Sequence, residues 1–172
     1  MRFDAANACC HVLTFKEGLL SRVAHDLKLR AGRFSLVIDD ARVSVDVDAT
    51  SLKVVCARKD GVDAPKTLGF LERSQIERNV KSDVLHSRRF PAIRYVGQVT
   101  ERSDARGRAE GQLTLHGVTR PVVAEAHRDG DRWRAAFDLH QPDFGITPYS
   151  AMLGALRIKP RVQVVFDWPA AR

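Results

Sequence analysis

His25 and Asp26 stand side by side in the stretch VAHDLKL (23–29), and a histidine beside a carboxylate suggests general acid–base chemistry. Adjacent residues of a strand point to opposite faces, however, so these two side chains cannot readily pair. The chain also contains no Gly-x-Ser-x-Gly elbow that would present a nucleophile. We therefore interpret His25 as a polar anchor in an otherwise apolar pocket, a composition that is common in ligand sites.

His116 interrupts the alternating stretch QLTLHGVTRPV (112–122). Gly117 can take the positive φ that a tight reversal between two strands needs. Pro121 suits the start of the following strand, where its missing N–H costs least. The pattern predicts that His116 shapes a turn, and a ligand or catalytic role is the alternative.

Cysteine and histidine spacings indicate no metal or redox centre. Cys9 and Cys10 are adjacent, which is not the Cys-x-x-Cys spacing of such sites. His86 has no second histidine three or four residues away. Walker A and dinucleotide fingerprints are also absent from the sequence. We expect no metal, no cofactor and no enzymatic activity.

The formal net charge of +7 indicates which classes of partner the protein could bind. Such an excess suits nucleic acid or anionic lipid head groups. The arginines are dispersed rather than interleaved with aromatic residues, so nucleic-acid binding is not expected. Peripheral contact with an anionic membrane and a homodimer are left open.

The first residues, MRFDAANACCHVLTF, contain no apolar signal-peptide core. No stretch of the sequence is long and apolar enough to span a bilayer. The expected location is cytoplasmic, and a periplasmic location would follow if a leader had been removed.

Apolar residues recur with period two along most of the chain, which is typical of strands with one buried face. Residues 34–39 and 43–48 read as a hairpin, and further rows follow at 93–99, 110–115, 121–127, 133–139 and 162–168. Ser74 and Glu77 form a capping box at the start of SQIERNVKSDVL, which predicts one helix over about 74–86. The length of 172 residues fits a single domain over 1–172.

A long antiparallel sheet tends to close on itself, because closure removes exposed edges. A barrel of about eight strands has room for its own side chains or for one small ligand. The sequence therefore predicts an all-β antiparallel barrel of eight or more strands with one helix. The apolar segment 143–158, DFGITPYSAMLGALRI, could fold over its mouth and contact ligand, or pack as an ordinary buried loop.

Four stretches, in order along most of the chain, resemble the YceI-like family of lipocalin-like, polyisoprenoid-binding proteins: 23–34, 84–95, 111–122 and 142–167. The most specific is GQLTLHGVTRPV, which is similar to the family's Gly-x-Leu-Thr-x-His-Gly-Val-Thr-Lys/Arg-Pro-Val. The resemblance implies a single eight-stranded antiparallel, lipocalin-like barrel with one inserted helix. It also implies that such a barrel carries long apolar molecules along its axis without catalysis. Segment 56–75 and the stretch ITPYSAMLGALRI depart from the usual family pattern, which affects the ligand more than the fold.

The leading hypothesis is therefore a binding protein with an apolar barrel cavity for an isoprenoid or other lipid-like amphiphile. Inward rows and two head-group anchors form the predicted ligand contacts: His25, Phe34, Leu36, Val45, Tyr95, Leu113, Phe137, Phe144, Met152 and Phe166. One alternative is an enzyme that uses the same cavity with His25 as acid or base. The other is an interaction module that uses the basic exterior of a filled barrel.

Overall fold

The structure is a computed structural model, and it describes residues 1–18 and 25–170. Within that part of the chain there are thirteen strands and one α-helix, α1 (Phe70–Asn79). The strands are β1 (Arg2–Asp4), β2 (Cys9–Glu17), β3 (Asp26–Ala31), β4 (Phe34–Asp39), β5 (Arg42–Asp48), β6 (Leu52–Lys59), β7 (Val62–Ala64), β8 (Ala92–Arg102), β9 (Arg106–Leu115), β10 (Val118–Asp129), β11 (Arg132–His140), β12 (Ser150–Ala151) and β13 (Leu156–Pro169).

All the strands join one strongly curled antiparallel sheet. Its order is β1, β4, β5, β8, β9, β10, β11, β13, β2, β3, β6 and β7, and β12 pairs with β13. The predicted all-β antiparallel fold with a helix is confirmed, but the predicted number of eight strands is wrong. Three of the additional strands have only two or three residues, too few to show a period of two. The inner row of β2 includes the polar Thr14, which weakens its alternation.

The helix begins four residues before the predicted start at Ser74. Gly69 is its N-cap, and the Glu72 carboxylate accepts a hydrogen bond from the Gly69 N–H at 2.8 Å. The predicted capping box at Ser74 and Glu77 is therefore wrong. The Glu77 carboxylate instead accepts the Val54 N–H of β6 at 2.9 Å, which fixes the helix against that strand. The helix continues as a π-helical turn over Val80–Val84.

The reversal between β9 and β10 is the turn that the sequence predicts. Leu115 and Val118 are register partners, so His116 and Gly117 form a two-residue loop. Both have positive φ, 53° and 77°, as a hairpin that follows the twist of its strands requires. The glycine tolerates this region freely, whereas the histidine is held in it by contacts described below.

A tight corner leads from β3 into β4. The Ser51 hydroxyl accepts the Arg33 N–H at 2.9 Å, and the Ser51 carbonyl accepts the Gly32 N–H at 3.1 Å. Ser51 belongs to the 3₁₀ turn Ala49–Ser51, whose cap Asp48 accepts hydrogen bonds from the Thr50 N–H and hydroxyl. The corner places β3 and β4 on different walls of one enclosed interior.

Candidate ligand-binding cavity

The curled sheet and α1 enclose a cavity of about 780 Å³. Residues of twelve of the thirteen strands and one face of the helix line it, and most of these side chains are apolar. The register explains why they converge, since Leu36 pairs with Val45, Val45 with Tyr95 and Tyr95 with Leu113. These four side chains form one inward-facing row across β4, β5, β8 and β9.

Seven of the ten residues predicted to contact a ligand line this cavity: His25, Leu36, Val45, Tyr95, Leu113, Phe137 and Phe166. The inward direction predicted for these rows is therefore correct. Whether they touch a ligand stays a prediction.

The other three predicted residues lie elsewhere. Phe34 is buried at the corner between β3 and β4, where its ring packs edge-to-face on Phe166 at 5.9 Å. Phe144 is buried at the end of the 3₁₀ turn Gln141–Phe144, beside the hairpin loop of His116. Met152 is 66% exposed to solvent, in a turn where its own φ is 53°. The irregular backbone of 141–155 has no fixed period, so the sequence could not show which of its apolar residues face inward.

Sequence reasoning missed the contribution of the helix. Gln75, Ile76, Asn79 and Val80 line the cavity from one face of α1 and its extension. Ile76 and Val80 are four residues apart, which is the spacing of neighbours on a helical face. That spacing was visible in the sequence, but nothing in it indicated that this face closes a cavity.

The Tyr95 ring lies flat against a pair of glycines on the inner surface of the sheet. Gly97 and Gly111 are register partners on β8 and β9. A Cβ atom at Gly97 would lie 2.6 Å from the Tyr95 hydroxyl oxygen, and one at Gly111 would lie 2.8 Å from Cζ of the ring. Burial, with a smaller effect from Glu110, raises the pKa of Tyr95, so its hydroxyl stays neutral. The phenol is thus a hydrogen-bonding group set in an apolar wall.

The two ends of the cavity differ in chemistry. At one end the lining residues come from the position just before β3, from the helix and from the segment before β12: His25, Glu72, Gln75 and Tyr149. At the opposite end the lining includes Arg102 and Arg128 together with Trp133 and Trp168. The rings of the two tryptophans are stacked, with centroids 6.4 Å apart. The arrangement suits an amphiphile, with an apolar middle and polar groups at both ends.

The geometry around His25 gives no support to acid–base chemistry. Within residues 1–18 and 25–170, no hydrogen bond or ion pair orients the His25 imidazole. The Asp26 carboxylate instead accepts the Lys16 N–H at 2.8 Å. The described residues also contain no cluster of three or more His, Cys, Asp or Glu side chains that could hold a metal ion.

His116 lies outside the cavity and connects the β9–β10 loop to two other segments. Its Nδ1 lies 3.3 Å from the Phe144 carbonyl oxygen, and its Nε2 lies 2.9 Å from Nδ1 of His86. A carbonyl only accepts hydrogen bonds, so the His116 Nδ1 is the donor in the contact with Phe144. The ring also packs on Phe90 with centroids 4.4 Å apart. These contacts favour the structural interpretation of His116.

One protein-family model and several solved structures are similar to this chain. The family model described as "YceI-like domain" matches residues 10–170. BcnA of Burkholderia cenocepacia has a similar structure, with a TM-score of 0.67, 14% sequence identity and coverage of 98% of this chain and 99% of that one. A polyisoprenoid-binding domain from Saccharophagus degradans, described as implicated in plant cell wall breakdown, superimposes with a TM-score of 0.62 at 13% identity, covering 99% and 97% of the two chains.

The YceI protein of Campylobacter jejuni matches with a TM-score of 0.53 and 13% identity, over 84% of this chain and 85% of that one. None of the curated protein sequences compared with the chain matches it. No helix among the described residues is long and apolar enough to cross a bilayer. The structural neighbours support the fold, and the family model covers nearly the whole length: the chain belongs to the YceI-like family.

Proposed function

We propose that the protein binds and carries an isoprenoid or other lipid-like amphiphile in this cavity and does not catalyse a reaction. The observation that carries the proposal is the cavity of about 780 Å³ with a predominantly apolar lining and polar groups at its ends. Members of its fold class include a domain described as polyisoprenoid-binding, which supports the same class of ligand here. A carrier of this kind exchanges its cargo with a bilayer, and peripheral contact with an anionic membrane stays a prediction.

The magnitude of apolar burial is sufficient for binding. Each CH₂ group removed from water contributes about 0.8 kcal/mol, so a chain of about ten carbons gains about 8 kcal/mol. Association costs at least about 4 kcal/mol in lost translational and rotational freedom. The remainder corresponds to weak binding for a short chain and tighter binding for a longer one. We therefore expect affinity to rise with chain length until the cavity is full.

Two tryptophans of the chain, Trp133 and Trp168, line the cavity, so their fluorescence reports directly on its occupancy. Titration with a short isoprenoid alcohol should shift their emission saturably. Ala135 lines the cavity and its neighbour Ala136 faces the other side of β11, which gives a matched pair of variants. Ala135→Phe should weaken binding about tenfold or more by filling the cavity, and Ala136→Phe should bind as the wild type does.

Equal affinity in both variants would place the ligand outside the cavity and contradict the proposal. If Ala135→Phe does not fold, Ala124→Phe, at another lining position, replaces it in the same comparison. The cytoplasmic location, the homodimer, the single domain over 1–172 and the ligand contacts of the ten named residues stay predictions.

A further inference from the structure

Four large apolar side chains are exposed to solvent near one end of the cavity. Phe70 and Leu71, at the start of α1, are 82% and 80% exposed, and Met152 and Leu153, in the turn after β12, are 66% and 109% exposed. We call these four residues the apolar rim. Large apolar side chains that are this exposed beside a pocket commonly belong to an interaction site.

The two halves of the apolar rim flank the same opening. Leu71 precedes Glu72 and Met152 follows Ala151, and both of these neighbours line the cavity. The Asn79 side-chain amide donates a hydrogen bond to the Tyr149 hydroxyl at 3.0 Å, which joins the last residue of the helix to the segment that precedes Met152. His25 lines the cavity together with these neighbours, so we assign the two halves of the rim to the same end of the cavity as His25.

The turn at 152–154 is an unfavourable place for exposed apolar residues in water. Met152 and Leu153 have φ of 53° and 56°, in the left-handed region that L-residues with a side chain avoid. Glycine or asparagine would hold such a turn at lower cost. No described contact shelters the Leu153 side chain, so packing within the protein does not explain the residue. Strained backbone that presents a particular side chain is typical of functional segments.

The charge of the chain favours a lipid surface as the partner. The net charge is +7, and residues 145–161, which include half of the apolar rim, contain three basic residues and no acidic one. Two of these, Arg157 and Arg161, face Glu17 and Asp138, while Lys159 has no acidic partner among the described residues. Basic residues beside apolar side chains that can enter a membrane are the pattern of peripheral binding to anionic lipid.

We propose that the apolar rim inserts into the surface of an anionic bilayer and seats the His25 mouth of the cavity against it. A bilayer can accept side chains on both sides of the mouth while leaving the passage between them open, whereas a protein docked on the rim would cover it. The role of this contact in cargo exchange rests on the proposed function, but the contact itself does not.

The test compares vesicle binding by the wild type and two double variants. Leu71→Gln with Leu153→Asn replaces one apolar side chain in each half of the rim by a polar one, and asparagine tolerates the left-handed backbone at 153. Val96→Thr with Val123→Thr is the matched control, because these valines are 53% and 43% exposed on β8 and β10, away from the cavity lining. Binding is measured by flotation with vesicles of equal parts phosphatidylcholine and phosphatidylglycerol.

The wild type and the control should float with the vesicles, and the rim variant should bind about tenfold more weakly or not at all. Phosphatidylcholine vesicles alone should bind the wild type less well. In solution, without vesicles, the rim variant should take up a short isoprenoid alcohol as the wild type does.

Failure of the wild type to float would overturn the proposal, whatever the cavity binds. Loss of binding in the control to the same extent would also overturn it, since the contact would not be at the rim. If the wild type is a dimer, the rim variant is a monomer and neither binds vesicles, the rim would be assigned to self-association instead. Vesicle binding without any ligand uptake would leave membrane docking standing and contradict only the proposed carrier function.

Discussion

An alanine at Gly111 should damage the wall of the cavity, whereas an alanine at Gly107, on the same strand and face, should be tolerated. The added Cβ at 111 would press against the Val96 carbonyl oxygen and lie 2.5 Å from the Gly97 Cα and 2.8 Å from the Tyr95 ring. Two of these three atoms belong to the backbone of β8, so rotating a side chain cannot relieve the contact. At Gly107 the nearest atoms are 3.9 and 4.0 Å away, which is ordinary van der Waals contact.

Overpacking of this kind costs about 1–3 kcal/mol. The entropic gain of replacing glycine by alanine in the unfolded chain is common to both variants, so the difference between them isolates the overpacking. With a urea dependence of about 2 kcal/mol per molar, the unfolding midpoint of Gly111→Ala should lie about 0.5–1.5 M below that of Gly107→Ala.

The same substitution should also affect the cavity, because β8 carries Tyr95 on its inner face. Gly111→Ala should therefore reduce the ligand-induced change in tryptophan emission, while Gly107→Ala should preserve it. Equal unfolding midpoints for the two variants would refute the account of Tyr95 packed on a glycine pair. Unequal slopes of the unfolding curves would show that the denatured state had changed, and a midpoint comparison would then not apply.

Three further predictions concern the walls and the helix. Burial raises the pKa of the Cys10 thiol to about 12, so at pH 8 it should be alkylated far more slowly than Cys9, as mass mapping of the labelled native protein would show. Burial, and then two nearby cations, lowers the pKa of His11. Its contribution to stability is therefore present above about pH 6.5 and is lost as the pH falls through the lowered value, and His11→Gln should remove this pH dependence of the urea midpoint. Glu77→Ala should free the Val54 N–H, raising its hydrogen-exchange rate while distant strands keep theirs.

The period-two rows predicted the inner face correctly because a strand with one buried face must alternate. Leu36, Val45, Tyr95 and Leu113 were found in this way, and the register places them side by side. The reversal at His116 was equally predictable, because a two-residue hairpin loop has few suitable sequences.

Other features depend on contacts that no local pattern encodes. The helix begins at Phe70 although its N-cap, Gly69, lacks a capping side chain, because the Glu72 carboxylate accepts the Gly69 N–H from within the first turn. Glu77, which resembled part of a capping box, bonds to the distant Val54. Phe144 and Phe34 are as apolar as the lining residues but fill space beside the cavity, and only the three-dimensional arrangement separates the two groups.

Native mass spectrometry of the purified protein, followed by organic extraction and identification of what is released, tests the carrier function most directly. The account predicts a reproducible isoprenoid or acyl species bound to the wild type and to Ala136→Phe, and absent from folded Ala135→Phe. Protein that is purified empty, and that then takes up no isoprenoid alcohol, quinone or polyprenyl phosphate, would contradict it.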